Sequence, residues 1–150
     1  MVKTRFVAKA LLLDASGNFL LLRRTDTHPM LAGFYDLPGG TVEKDEEPGD
    51  AVLREVAEET GIMLDKPKLK VLYTTTNLLH GRSFPTMLYV AHIDVVTPEV
   101  QISWEHQSFE WAALDRLPEV EPQLAPTYRE ALNYIRANDV LEDIFNDEVS

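Results

Sequence analysis

Two short apolar runs separated by turn residues open the chain. Residues 4–13 are rich in aliphatic side chains and form a run too short for a typical helix, so we predict a strand there. Residues 14–18 contain Asp, Ser, Gly and Asn, which favour a turn, and residues 19–24 form a second apolar run. The two runs therefore predict an antiparallel hairpin.

The clearest helical pattern covers residues 48–60. Apolar side chains recur there at the spacing of one helix face, and Gly61 stands where helices often end in the left-handed conformation. The remaining predicted elements are strands over 68–76 and 84–96, a strand within 104–112, a short helical turn over 114–117, and a final helix over 126–138. Residues 141–150 form an acidic tail that we expect to fray.

Strands outnumber helices in this pattern, and regular helices do not alternate with them. The predicted class is therefore α+β, with a mixed sheet between helices. A chain of 150 residues fits one domain, and no repeat, linker or low-complexity stretch divides residues 1–150.

Charge narrows the classes of partner. The chain has 14 Lys and Arg against 25 Asp and Glu, so its net charge of −11 repels duplex nucleic acid and anionic membranes. The absence of cysteine excludes disulfides, thiolate metal sites and cysteine nucleophiles. No apolar run approaches the length of a membrane span, and no signal-peptide pattern follows Lys3 and Arg5. We therefore expect a cytoplasmic protein.

Three glutamates lie on one side of the predicted helix. At about 100° per residue, Glu55, Glu58 and Glu59 fall within one arc beside the apolar face. Each like-charge pair would destabilise an isolated helix by about 0.2–0.5 kcal/mol, which a bound cation would relieve. Oxygen ligands of this kind suit Mg²⁺ or Mn²⁺. The competing interpretation is a solvated acidic face, in which Arg54 pairs with Glu58 and serves only the helix surface.

The spacing of residues around this helix resembles a known signature. Its fixed or class-restricted positions are, in order, Gly40, Glu46, Arg54, Glu55, Val56, Glu58, Glu59, Gly61 and Ile62. This string of 23 residues is similar, without a gap, to the box of the Nudix hydrolases. The preceding hairpin that ends in Arg23-Arg24, the Pro-Gly-Gly before the box and the acidic-aromatic strand after it extend the resemblance to about residue 117.

The resemblance implies a fold, an activity and a cofactor. The fold would be an α/β/α sandwich around a mixed sheet, with the box forming a loop, a helix and a second loop. The activity would be hydrolysis of a diphosphate linkage, usually one attached to a nucleoside, with Mg²⁺ or Mn²⁺ as cofactor. The carboxylates of Glu55, Glu58 and Glu59 and the carbonyl of Gly39 would be metal ligands.

The same resemblance implies further catalytic roles. A carboxylate from the loop before a late strand is expected to join the metal ligands, and Glu105 is preferred because its rival Glu110 lies within the predicted strand. Arg54 would orient the carboxylates, and either Glu55 or Glu105 would take the proton of the attacking water. His106 is expected to be a neighbour of the site or a surface residue, because hard cations prefer oxygen ligands.

Substrate contacts are expected outside the box. Arg23 or Arg24 offers a planar guanidinium to a phosphate, with a solvated strand end as an equal alternative for each. Tyr35, Asn77 and Phe84 are candidates for base recognition, with core packing as the alternative for the aromatic rings. The predicted substrate is a nucleoside triphosphate or a nucleoside diphosphate derivative, bound as a small molecule by a monomer or homodimer.

Competing functions differ in the residues that they require. A prenyl diphosphate isomerase of the same fold would need the catalytic cysteine that this chain lacks. A non-catalytic nucleotide-binding or sensor domain would tend to lose box carboxylates, and all of them are present. The remaining alternative is a stable acidic domain whose helix face is only solvated.

Overall fold

A computed structural model describes residues 3–29, 31–124 and 126–138, so the predicted acidic tail lies outside the described residues. The described strands are β1 (Lys3–Thr4), β2 (Val7–Leu13), β3 (Phe19–Arg24), β4 (Tyr35–Asp36), β5 (Gly39–Thr41), β6 (Lys70–Leu79), β7 (Arg82–His92) and β8 (His106–Ala112). The described helices are α1 (Pro48–Thr60), α2 (Leu117–Val120) and α3 (Pro126–Ala137). Within these ranges, no helix is both long and apolar enough to cross a membrane.

The strands form one mixed sheet with β2 near its centre. β7 runs parallel to β1 and β2, whereas β3 pairs antiparallel with β2, β4 and β8. β5 and β6 add antiparallel pairs with β2 and β7. The strand predicted over residues 4–13 is divided into β1 and β2 at Arg5 and Phe6, and the prediction of a mixed sheet is confirmed.

Alternation along β2 divides the core into two halves. Ala8, Ala10 and Leu12 belong to an apolar cluster with the buried face of α1, whereas Leu11 and Leu13 belong to a cluster with α2 and α3. Successive side chains of a strand point to opposite faces, so one apolar strand supplies both clusters. The helices therefore cover both faces of the sheet, and the predicted α/β/α sandwich is confirmed.

Helix α1 has the bounds that the sequence predicts. Pro48 occupies its first turn, where the missing N–H costs nothing, and Gly61 ends it with a φ of 75° in the left-handed region. Val52 and Val56 face the sheet, as the periodicity indicates. Glu59 is buried at the edge of this apolar face, which the competing interpretation of a solvated acidic face does not explain.

The β6–β7 hairpin extends closer to its turn than the sequence predicts, whereas β7 ends at His92 rather than at residue 96. Its turn uses His80 and Gly81, whose φ values of 51° and 75° suit a tight two-residue hairpin turn. The two residues predicted to lie in or beside a connecting loop, Asn77 and Phe84, are instead paired opposite each other within the strands. Local propensity missed this extension because the pairing across the hairpin stabilises it.

Candidate active site

A cavity of about 400 Å³ lies between α1, the central strands and the loops that precede β4 and β8. Glu55 and Glu59 line it from α1, and Gly39 and Gly40 line it from β5. Glu105 lines it from the loop before β8, where its carbonyl accepts a hydrogen bond from the N–H of Thr25 at 3.2 Å. Three of the four predicted carboxylate ligands and both box glycines therefore border one space of the size that small-molecule sites have.

The two box glycines allow backbone and carboxylates to approach closely. Gly39 has a φ of 132°, and a Cβ there would lie 2.2 Å from the carbonyl oxygen of Ala8. A Cβ on Gly40 would lie 2.7–2.9 Å from the carboxylate atoms of Glu55. Any larger residue at either position would therefore displace the strand or the glutamate.

Glu59 is the most buried of the candidate ligands. Its side chain is nearly inaccessible, and the N–H of Gly39 donates to its Oε2 at 3.3 Å. Burial raises the pKa of Glu59 to about 9; Lys9 opposes this rise, whereas Asp36 and Glu55 add to it. The carboxyl is therefore protonated at neutral pH unless a cation stabilises its ionised form.

A buried ion network forms the floor beside these glutamates. Lys9 Nζ donates to Asp36 Oδ2 at 3.1 Å and to the carbonyls of Leu37 and Gly39 at 3.2 and 3.0 Å. Arg24 donates to the same Asp36 oxygen from Nε at 3.0 Å and from Nη2 at 2.8 Å. Burial alone would raise the pKa of Asp36, but the charges of Lys9 and Arg24 hold it below its ordinary value.

Arg54 connects the loop before α1 to the carboxylates on the helix. Its guanidinium donates to Glu46 at 2.9 and 3.1 Å, to Glu55 at 3.0 Å and to Glu58 at 3.4 Å. A further bond reaches the carbonyl of Thr41 at 3.2 Å. Across the described ranges, no three histidine, aspartate or glutamate side chains form a preassembled metal cluster. Cation binding would therefore require the glutamates to shift from these protein cations.

A comparison with models of known protein families identifies the family of this chain. The family model of the Nudix domain matches residues 3–135, which is most of the chain. The chain belongs to the Nudix family. The resemblance drawn from the box is thereby confirmed, as is the fold that it implied.

Individual relatives agree with this assignment. The crystal structure of a MutT protein from Methanosarcina mazei Go1 superposes with a TM-score of 0.81 and 28% identity, covering 92% of this chain and 96% of that one. A MutT-like protein of Streptomyces ambofaciens is 43% identical over 60 residues, which is 40% of this chain and 36% of that protein. An RNA pyrophosphohydrolase of Gluconacetobacter diazotrophicus is 43% identical over 56 residues, covering 35% of this chain and 34% of that protein. The two sequence matches each span about a third of the length of the curated relative.

The predicted phosphate-binding arginines of this Nudix domain are engaged by the protein. Arg24 lines the cavity but is bound to Asp36. Arg23 donates from Nε to the carbonyl of Gly33 at 3.2 Å and lies 5.9 Å from the ring centroid of Tyr35. Neither Arg23 nor Tyr35 is among the residues that line the cavity.

Other predicted residues are also separated from the carboxylates. Asn77 and Phe84 lie in the β6–β7 hairpin and do not line the cavity. Glu58 does not line it either, and its side chain is 59% exposed. Glu110, the rival of Glu105, lies on β8, and its carboxylate forms an ion pair with Arg116. The geometry thus favours Glu105 of the two.

Several cavity residues were not among the predicted site residues, and Arg5, Trp104 and His106 are three of them. Arg5 lies at the break between β1 and β2, and its guanidinium has no ion-pair partner within the described part of the chain. Trp104 borders the cavity beside Glu105. His106 is buried rather than at the surface, and its Nδ1 has no hydrogen-bond partner among the described residues. Burial lowers the pKa of His106 to about 4, so this imidazole is neutral. The turn before β8 brings Trp104 and His106 to the cavity, which their spacing alone does not indicate.

Proposed function

We propose that this Nudix domain hydrolyses the diphosphate linkage of a nucleoside triphosphate or nucleoside diphosphate derivative, with Mg²⁺ or Mn²⁺ as cofactor. The main support for this function is that Glu55, Glu59 and Glu105 border one cavity. The cationic side chains of Arg5 and Lys9 border the same cavity. Cations on the wall can attract a polyphosphate even though the chain as a whole carries a charge of −11. The RNA pyrophosphohydrolase among the relatives supports the same reaction class.

The donor chemistry of the cavity fits a hard divalent cation. Carboxylates of Glu55, Glu59 and Glu105 and the Gly39 carbonyl would supply oxygen ligands only, which Mg²⁺ and Mn²⁺ prefer. Glu59 supports this assignment because its buried carboxyl receives, from the residues that the structure describes, one hydrogen bond, that of Gly39. Such an ion, when bound, neutralises a diphosphate and lowers the pKa of a coordinated water. Glu58 can join this set only by turning from its exposed position beside Arg54.

The chain's own residues would divide the remaining work. Glu55 or Glu105 accepts the proton of the attacking water, since both carboxylates border the cavity. Arg54 fixes the orientation of Glu55 through its 3.0 Å bond. Arg5 is the cation best placed to bind a phosphate oxygen, because it has no protein carboxylate to give up within the described ranges.

A nucleotide panel tests the proposal directly. Nucleoside triphosphates and nucleoside diphosphate derivatives would be incubated with and without Mg²⁺, and released phosphate or pyrophosphate would be assayed. We expect Mg²⁺-dependent turnover that Glu55→Gln reduces by about 10²-fold or more, the scale of a general-base contribution. The exposed Glu99→Gln is the matched control and should retain parental turnover. Parental activity in Glu55→Gln would refute the assignment.

A non-catalytic nucleotide-binding domain is the second candidate. It is favoured by the two protein cations that already engage the proposed ligands, Arg54 on Glu55 and Lys9 on the Gly39 carbonyl. Nucleotide binding without turnover at any Mg²⁺ or Mn²⁺ concentration would support this candidate over hydrolysis. The cytoplasmic location and the monomeric or homodimeric state stay predictions from the sequence.

A further inference from the structure

Trp104 is a large apolar side chain left in solvent at the edge of the cavity. Its side chain is 85% exposed, the highest fraction among the large hydrophobic residues in the described ranges. It also borders the same cavity as Glu55 and Glu59. An indole that is this exposed and also borders a cleft is available to an aromatic ligand.

The backbone around Trp104 is held in place. The N–H of His106 donates to the carbonyl of Ser103 at 3.2 Å, which closes a turn across Trp104 and Glu105. The Thr25 N–H binds the Glu105 carbonyl at 3.2 Å and ties this turn to the end of β3. The indole therefore projects from a fixed turn whose next residue is a proposed metal ligand.

The other aromatic candidates are used by the fold. Phe84 is buried within the β6–β7 hairpin, and Tyr35 packs against the core cluster of α2 and α3. The second tryptophan of the chain, Trp111, is half-buried against the cluster that includes α1. Trp104 is thus distinguished from these rings by having both exposure and a place on the cavity.

We propose that the indole of Trp104 is the stacking platform for the nucleobase of the substrate. The inference rests on the proposed function, in which the polyphosphate lies against the glutamates and Arg5. A base at the other end of the nucleotide would then meet Trp104 at the cavity edge. Stacking uses the π-face that every base has, so this contact selects nucleotides over base-free polyphosphates and discriminates only weakly among bases.

Equilibrium binding of ligands without a cleavable nucleoside diphosphate bond provides the test. Binding of AMP, GMP, CMP and inorganic tripolyphosphate to the parent and to each variant would be measured by calorimetry in the presence of Mg²⁺, and the tryptophan fluorescence of the parent would be recorded during its nucleotide titrations. We expect nucleotides to quench the fluorescence of the parent protein. Trp104→Ala should weaken nucleotide binding by about 5- to 150-fold, the range for loss of one base–aromatic stack. It should leave the tripolyphosphate Kd within about twofold, since no base is involved.

Matched variants separate stacking from structural effects. Trp104→Phe keeps an aromatic face and should retain most of the nucleotide affinity. Met63→Ala removes another side chain, one that is 82% exposed and does not line the cavity, and should bind nucleotides as the parent does. With a cleaved substrate, Trp104→Ala should raise KM much more than it lowers kcat.

Three results would overturn the inference. One is an unchanged nucleotide Kd in Trp104→Ala, and another is equal weakening of nucleotides and tripolyphosphate, which would indicate a displaced Glu105. The third is equal loss in Trp104→Ala and Trp104→Phe. These outcomes differ from failure of the proposed function, in which the parent binds nucleotides through Trp104 but hydrolyses none of the panel.

Discussion

The buried pair of Lys9 and Asp36 offers the sharpest test of how this site is held together. The two side chains are 7% and 3% exposed, and Lys9 Nζ makes three bonds of 3.0–3.2 Å. Lys9→Met keeps the apolar stem but removes the charge. The carbonyls of Leu37 and Gly39 then lose this donor. Of the cations that the structure shows bonded to Asp36, Arg24 remains.

The expected loss is large relative to the stability of a domain. Removing one partner of a buried ion pair costs about 3–5 kcal/mol, because the other charge stays buried. A typical domain has about 5–15 kcal/mol in total, so Lys9→Met should remove about a fifth of it or more. For a chain of this length each kcal/mol lowers Tm by about 2–4 °C, which predicts a fall of about 6–20 °C.

Urea unfolding followed by circular dichroism would measure the loss. Lys66→Met is the control, because Lys66 forms an exposed pair with Glu47 at 2.6 Å and its loss should barely change the midpoint. The double variant Lys9→Met with Asp36→Asn should lose less than the sum of the single changes, because the Lys9–Asp36 interaction that each single change removes is counted once. A Lys9→Met midpoint as close to the parent as that of Lys66→Met would refute the reasoning.

Further predictions concern the carboxylates. In EDTA, the free energy of unfolding should fall by about 1.4 kcal/mol per pH unit between about pH 5 and 9, because folded Glu59 keeps a proton that the unfolded chain has lost. Urea titrations would measure this decline, and Glu59→Gln should flatten it. Millimolar Mg²⁺ should raise the Tm of the parent and of Glu99→Gln but not of a Glu55→Gln/Glu59→Gln double variant, measured by calorimetry; an equal rise in all three would contradict the site. Arg54→Gln loses the bonds to Glu46 and Glu55, so Glu55 is no longer held in orientation and kcat should fall by at least tenfold in steady-state assays.

Local signals explain why α1 and the box could be predicted. The apolar periodicity, the proline in the first turn and Gly61 at the end all lie within one short segment, and the helix has those bounds. The alternation of apolar residues in β2 likewise follows from neighbours along the chain. Each of these features is decided by residues within a few positions of one another, so tertiary contacts reinforce the local preference.

Long-range pairing explains what could not be predicted. Lys9 lies within an apolar strand, and only the fold shows that its partner is Asp36, 27 residues away. The same carboxylate binds Arg24, so an arginine expected to meet a phosphate is anchored within the protein. Nothing in the spacing of these residues distinguishes a cation that is free for a ligand from one that is already paired.

Positively charged side chains of the protein offset part of the negative charge in the cavity. Glu55 and Glu59 lie on α1 beside the glycines of β5, in a chain whose net charge of −11 would oppose further negative charge. Two cations of the protein reduce this repulsion, since Arg54 binds Glu55 and Lys9 raises the local positive potential near Glu59. Burial still outweighs Lys9 at Glu59, because the pKa of that carboxyl stays raised to about 9. The protein's own cations therefore hold β5 and α1 in place but leave one buried carboxyl uncompensated, which is the position where an added divalent cation would gain most.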